Sequence, residues 1–160
     1  MEIDLTSKTK TILDKVLYCT VATVDEVGQP WNAPVFFAHD EAYNFYWGSN
    51  RESQHSKNIQ ANGKAFLVIY DSTVGAGKGE GVYIRADVSE VVDANEVFAV
   101  HELLTKRHVA PYWELQQVQG MTPIRLYRAT PKVVWMNSEG EKDGQYIDIR
   151  VEIDLDKLKT

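Results

Sequence analysis

The chain has a single cysteine, Cys19, so no disulfide can form within it. A disulfide-stapled secreted scaffold is thereby excluded, and the expected compartment is a reducing one, the cytoplasm. Basic residues are also short. Lys and Arg number 17 against 23 Asp and Glu, a formal charge of −6. A general nucleic-acid partner needs a basic face, and this balance argues against one. No apolar run approaches the roughly 20 residues that span a bilayer. The start Met1-Glu2-Ile3-Asp4 is acidic and mixed, unlike a signal peptide, so no membrane partner is expected. With 44% hydrophobic and 25% charged residues, disorder and collagen-like fibres are excluded as well.

What is present reads as one domain over residues 1–160, long enough to bury its own core. The spacing of Ile12, Leu13, Val16 and Leu17 predicts an opening helix, capped by Thr6 or Ser7. Extended runs are expected at 18–24, 30–38 and 43–48, separated by turns at 25–29 and 40–41. Polar residues 49–62 lead into a short helix closed by Asn62-Gly63. The apolar run 65–70 predicts a buried strand, 82–92 another strand, and 95–108 a helix. Residues 109–122 read as an irregular loop or second short helix. Three more strands are expected at 124–129, 132–137 and 144–154, with a turn at 138–143. The fold class is thus mainly β with peripheral helices, an antiparallel barrel of six or more strands.

Two stretches can carry chemistry. Ser49-Asn50-Arg51-Glu52-Ser53-Gln54-His55-Ser56-Lys57-Asn58-Ile59 places donors just before a helix start. Free N–H groups and the helix dipole there favour an anion, with Arg51, His55 and Lys57 adding positive charge. The same pattern also describes a self-capped surface helix. Pro30-Trp31-Asn32-Ala33-Pro34-Val35-Phe36-Phe37 carries two prolines in a strand-like run, which puts it at an edge or bulge. Irregular backbone beside aromatics can accept a flat ligand, or the run can be an ordinary edge strand.

Other candidates fail on inspection. In the glycine stretch 75–81, Lys78 is followed by Gly79 rather than Ser or Thr, so it is no Walker loop. His101 and His108 are seven apart and lack zinc-protease spacing, so no metal is expected. Cys19 sits in an apolar, β-rich setting, where a thiol is packing. No catalytic acid, base or nucleophile can be named from spacing.

In order and spacing, the chain resembles the pyridoxamine 5'-phosphate oxidase-like flavoproteins of the FMN-binding split-barrel fold. The carrying residues are Val21-Ala22-Thr23-Val24, Gly28 to Val35, Phe45-Tyr46-Trp47-Gly48, Ser53 to Ile59, and Gly81 to Ala86, over roughly residues 5–155. The resemblance implies FMN as cofactor, with the isoalloxazine along Asn32, Ala33, Pro34, Val35 and Phe36. It also implies contacts from Trp47, Gly48 and Ser49. The FMN phosphate is assigned to Ser53, Gln54 and His55 with Lys57 close by, His55 being favoured as a cation there. A homodimer is implied, with the cofactor at the subunit interface and Trp135 and Arg150 contributed late in the chain.

Gln54-His55 stands where the vitamin B6 oxidases carry Arg-Lys, and Ala33, Ala38 and Gly81 replace their Arg, Lys and Gln. The resemblance therefore points to an FMN-dependent oxidoreductase acting on another small-molecule substrate. A deazaflavin-dependent reductase and a non-catalytic flavin or haem carrier or sensor are the alternatives.

Overall fold

A computed structural model describes residues 4–108 and 113–160. Helix α1 (Leu5–Lys15) is followed by strands β1 (Tyr18–Val24), β2 (Pro30–Phe36), β3 (Ala38–His39) and β4 (Phe45–Asn50). Then come α2 (Gln54–Asn62), β5 (Lys64–Tyr70), β6 (Gly81–Glu90) and α3 (Ala94–His108). A 3-10 turn (Leu115–Val118), β7 (Ile124–Lys142), β8 (Gln145–Ile153) and α4 (Leu155–Lys159) complete the chain.

All strand pairings are antiparallel, in the order β2-β1-β5-β6-β7-β4-β3, with β8 added to β7. The sheet curls but does not close: β2 and β4 are not hydrogen-bonded to each other. That opening is the split of the barrel. Its interior is filled chiefly by alternate side chains of β1, β4, β5, β6 and β7. Val21, Trp47, Leu67, Ile69, Ile84 and Val134 are all at most 1% exposed. A second, smaller core of Tyr46, Val91, Val97, Val100, Val118 and Leu126 lies between the outside of β4 and β7 and the helical layer of α3 and the 3-10 turn.

Several expectations change in detail. Asp4, not Thr6 or Ser7, caps α1, accepting from the N–H groups of Thr6 (3.0 Å) and Ser7 (3.2 Å). A carboxylate there also suits the helix dipole. The run 65–70 is buried on one face only. Ala65, Leu67 and Ile69 point inward, while Phe66 and Val68 are half-buried outside. The two strands expected at 124–129 and 132–137 are one strand, β7, which continues through 138–142. Pro131 sits opposite Ala86, where the β6–β7 register shifts, so its missing N–H is tolerated in the ladder. The turn to β8 is therefore at Asp143-Gly144, with φ of 54° and 75°, a two-residue hairpin loop. Of the stretch 109–122, residues 109–112 lie outside the described residues, and the remainder holds the single 3-10 turn.

Candidate functional site

The barrel's split is where the chemistry-bearing residues gather. Strand β2 is an edge strand. The Phe37 N–H donates to the Leu17 carbonyl, so by ladder alternation the Phe36 N–H and the Pro34 carbonyl face away from β1, toward the open edge. Across the split, β4 turns alternate side chains in and out. Phe45 and Trp47 enter the barrel, whereas Tyr46 and Gly48 face the helical layer.

Helix α2 begins at the end of β4. Ser53 occupies its N-cap position but makes no side-chain cap bond. Its hydroxyl lies 2.8 Å from the Asn50 carbonyl, 2.9 Å from Ser56 Oγ and 3.2 Å from His55 Nε2. Among the described residues, the first N–H groups of α2 thus have no side-chain partner, the condition under which a helix start receives an anion. Asn58 anchors the helix to β1, its amide donating to Thr23 Oγ1 at 2.9 Å.

Together these elements form a cavity of about 250 Å3. Pro34, Val35 and Phe36 line one side; Gly48, Ser49 and His55 line another. Tyr18, His101, Leu104, Trp113 and Leu126 supply further walls, with Thr105 and Val118. His55 is buried, and its Nε2 is 2.8 Å from Ser49 Oγ. Burial pushes its imidazole below the ordinary value, opposing the cationic form. Among the described residues that line the cavity, the basic side chains are the two imidazoles of His55 and His101, in a largely apolar surround.

Six residues singled out from the sequence are thus brought together: Pro34, Val35, Phe36, Gly48, Ser49 and His55. Ser53 stands beside them, bonded to His55. Others lie elsewhere. Trp47 is fully buried in the barrel, stacked on Tyr127 at 5.8 Å, with its Nε1 unpaired. Asn32 and Ala33 are farther along β2, outside the cavity lining. Gln54 is exposed and bonds Asn58, and Lys57 pairs with Glu52 at 3.3 Å. Arg51 borders a different cleft, with Ser56 and Tyr127. Trp135 and Arg150 belong to the sheet's outer face. Trp135 stacks on Phe66, and the Arg150 guanidinium lies 4.0 Å from the Tyr83 ring centre.

Sequence reasoning missed the far wall. Trp113, His101 and Leu104 come from α3 and the segment after it. The signal available was the alternation of Tyr46 and Gly48, which marks an outward face needing cover. Among the described residues no cluster of His, Cys, Asp and Glu is arranged to hold a metal ion. Nor is any described helix long and apolar enough to cross a membrane.

The family model for pyridoxamine 5'-phosphate oxidase matches residues 5–138. No curated protein matches the chain. Among solved structures, Campylobacter jejuni ChuZ superposes with a TM-score of 0.71 at 14% identity, over 95% of this chain and 63% of its own. HutZ, the heme storage protein of Vibrio cholerae, gives 0.67 at 16%, over 81% and 92%. A heme binding protein from Mycobacterium smegmatis gives 0.69 at 11%, over 99% and 61%. The chain thus spans about three fifths of the Campylobacter and Mycobacterium proteins. At these identities the likeness is one of fold.

Proposed function

The chain belongs to the pyridoxamine 5'-phosphate oxidase family, and from that premise we propose that it is an FMN-dependent oxidoreductase acting on a small molecule. One observation carries the reading. The open edge of β2, the glycine face of β4 and the uncapped start of α2 converge on a single cavity. Such a setting suits an apolar ring with backbone hydrogen-bonding groups along one edge and a helix start to receive an anion.

The residues fit the parts of FMN in turn. The Phe36 N–H and the Pro34 carbonyl offer a donor and an acceptor to the polar rim of the ring. Val35, Tyr18 and Leu126 supply apolar contact. The α2 N–H groups and the Ser53 hydroxyl receive the phosphate. His55, neutral in its buried setting, is drawn toward its cationic form by a phosphate dianion and holds a proton between Ser49 and Ser53. Bound FMN supplies hydride or single-electron transfer, while the protein sets position and electrostatics. The family relationship supports a homodimer, and the half-buried rings of Phe66, Tyr83 and Trp135 with the exposed Arg150 supply a face for it.

The test is the absorbance spectrum of the purified protein, followed by titration with FMN. Flavin absorbance or saturable FMN binding is the expected result. A colourless protein with no affinity for FMN overturns the reading. Ser53→Ala with His55→Ala should weaken FMN much more than riboflavin; equal losses would remove the phosphate assignment. A deazaflavin titrated alongside decides between the two rings.

A second reading is haem binding without turnover. Two imidazoles, His55 and His101, line the same apolar cavity, and two of the structural neighbours are named as heme proteins. A Soret band on adding haemin, with no response to FMN, would favour it.

A further inference from the structure

Gly48 lies on the cavity's β4 wall beside Ser49, and its surface is already covered. A β-carbon on residue 48 would fall 2.1 Å from Cζ3 of Trp113 and 2.9 Å from its Cε3 and Cη2. The six-membered part of the indole therefore rests directly on bare backbone, a seat that only glycine leaves open. Gly48 is also where the family resemblance puts a planar ring.

The Trp113 main chain has its own anchor. His101 Nε2 is 2.7 Å from the Trp113 carbonyl, and a carbonyl only accepts, so this nitrogen carries the proton. A change of χ1 at Trp113 would therefore move the indole without moving this main-chain anchor on α3. With the indole seated, the cavity is about 250 Å3. That is below the roughly 300–1,000 Å3 typical of sites for small-molecule cofactors.

We propose that Trp113 is a plug: its indole occupies the ring seat on Gly48 and is displaced when a planar aromatic ligand binds. The proposal rests on reading the cavity as a ring-ligand site, but not on which ring it takes. Its consequence is selectivity. A ligand must match the indole's stacking on the glycine face, so flat rings enter and non-planar molecules do not. When the seated state predominates, apparent affinity falls by the fraction of molecules with the seat open.

The experiment titrates FMN, riboflavin and haemin against the wild-type protein, Trp113→Ala and Trp113→Leu. Leucine keeps apolar contact with the α3 core and guards against an alanine variant that folds poorly. A plug predicts tighter binding in both variants, by about tenfold, with faster association. Unchanged or weaker binding makes Trp113 a fixed wall and overturns the proposal. Binding of a ring by a variant that the wild type refuses supports it.

If haemin binds and FMN does not, the flavin reading fails and the plug is judged on the haemin series. If none of the three rings binds any version, the plug falls too. The independent readout is 19F NMR of the protein labelled with 5-fluorotryptophan, the Trp113 signal being assigned by its absence from Trp113→Phe. That signal should shift on saturation, and a stationary signal overturns displacement.

Discussion

His55 Nε2 and Ser49 Oγ meet at 2.8 Å, joining the first turn of α2 to the end of β4 in a buried setting. The imidazole's ordinary pKa of 6.5 is pushed down by that burial. The sign of the pH effect follows. Above 6.5 the ring is neutral in both folded and unfolded chains and contributes no slope. As pH falls below 6.5, the unfolded chain takes up a proton that the folded one resists, so stability declines until the folded pKa is passed. Denaturation at a series of pH values from about 5 to 7.5, across the range where histidine titrates, should show this decline in the wild type. The decline should shrink in His55→Gln. Parallel profiles for the two proteins would show that His55 is not the group responsible.

Asn58 is 2% exposed, and its amide bridges Thr23 on β1 and Gln54 in its own helix. Asn58→Ala leaves the Thr23 hydroxyl buried without its donor, and should cost about 1–3 kcal/mol in urea denaturation. Thr23→Val should destabilise by a similar amount. The double variant Asn58→Ala with Thr23→Val should lose less than the two single losses combined, because the Thr23 hydroxyl is then no longer stranded. Strict additivity of the two single losses would show that the bond does not couple α2 to β1.

Arg107, in the last turn of α3, donates one guanidinium nitrogen to the carbonyls of Leu13 (2.7 Å) and Val16 (2.8 Å). It also lies 4.9 Å over the Phe37 ring. The contact closes the C-terminus of α1, where carbonyls lack helical partners and a cation suits the dipole. Arg107→Met, which keeps the stem, should lower stability by about 1.5–3 kcal/mol, the range for hydrogen bonds to charged groups. Arg107→Lys should recover less than half, since one ammonium cannot reproduce the planar fork. Thermal melts of the three proteins decide it, and a lysine variant as stable as wild type would reduce the role to charge alone.

Much of this architecture is legible in the sequence, for reasons that differ by element. The close of α2 at Asn62-Gly63 is readable because Gly63 has φ of 66°, which glycine supplies at little cost. The edge character of β2 is readable because Pro34 cannot join a central ladder. Period-two alternation separates Tyr46 from Trp47 but does not say which of them enters the barrel, so the indole expected over the flavin is in the interior. Pro131 reads as a strand break because the register shift that accommodates it depends on β6, a distant partner. The wall formed by Trp113 and His101 is invisible locally. It depends on Trp113, which follows α3, packing onto Gly48, and neither residue stands in a pattern that marks it.

Phe66 and Trp135 stack at 6.1 Å on the outside of the sheet, and Arg150 lies over Tyr83 beside them. Three adjacent strands, β5 to β7, thus present large rings on the outer face, and β8 adds the Arg150 guanidinium. Aromatic residues and arginine are the types that concentrate binding energy in the centre of an interface. A homodimer through this face would cover them and set Trp135 and Arg150 of each copy near the other's barrel. Trp135→Glu puts a carboxylate at the centre of that patch without disturbing the inward face of β7, whose buried neighbours are Val134 and Met136. Sedimentation velocity should give a dimer for the wild type and a monomer for the variant, with the circular dichroism spectrum unchanged. A wild-type monomer at micromolar concentration would remove the dimer from the proposed function, and a dimeric Trp135→Glu would move the interface to another face.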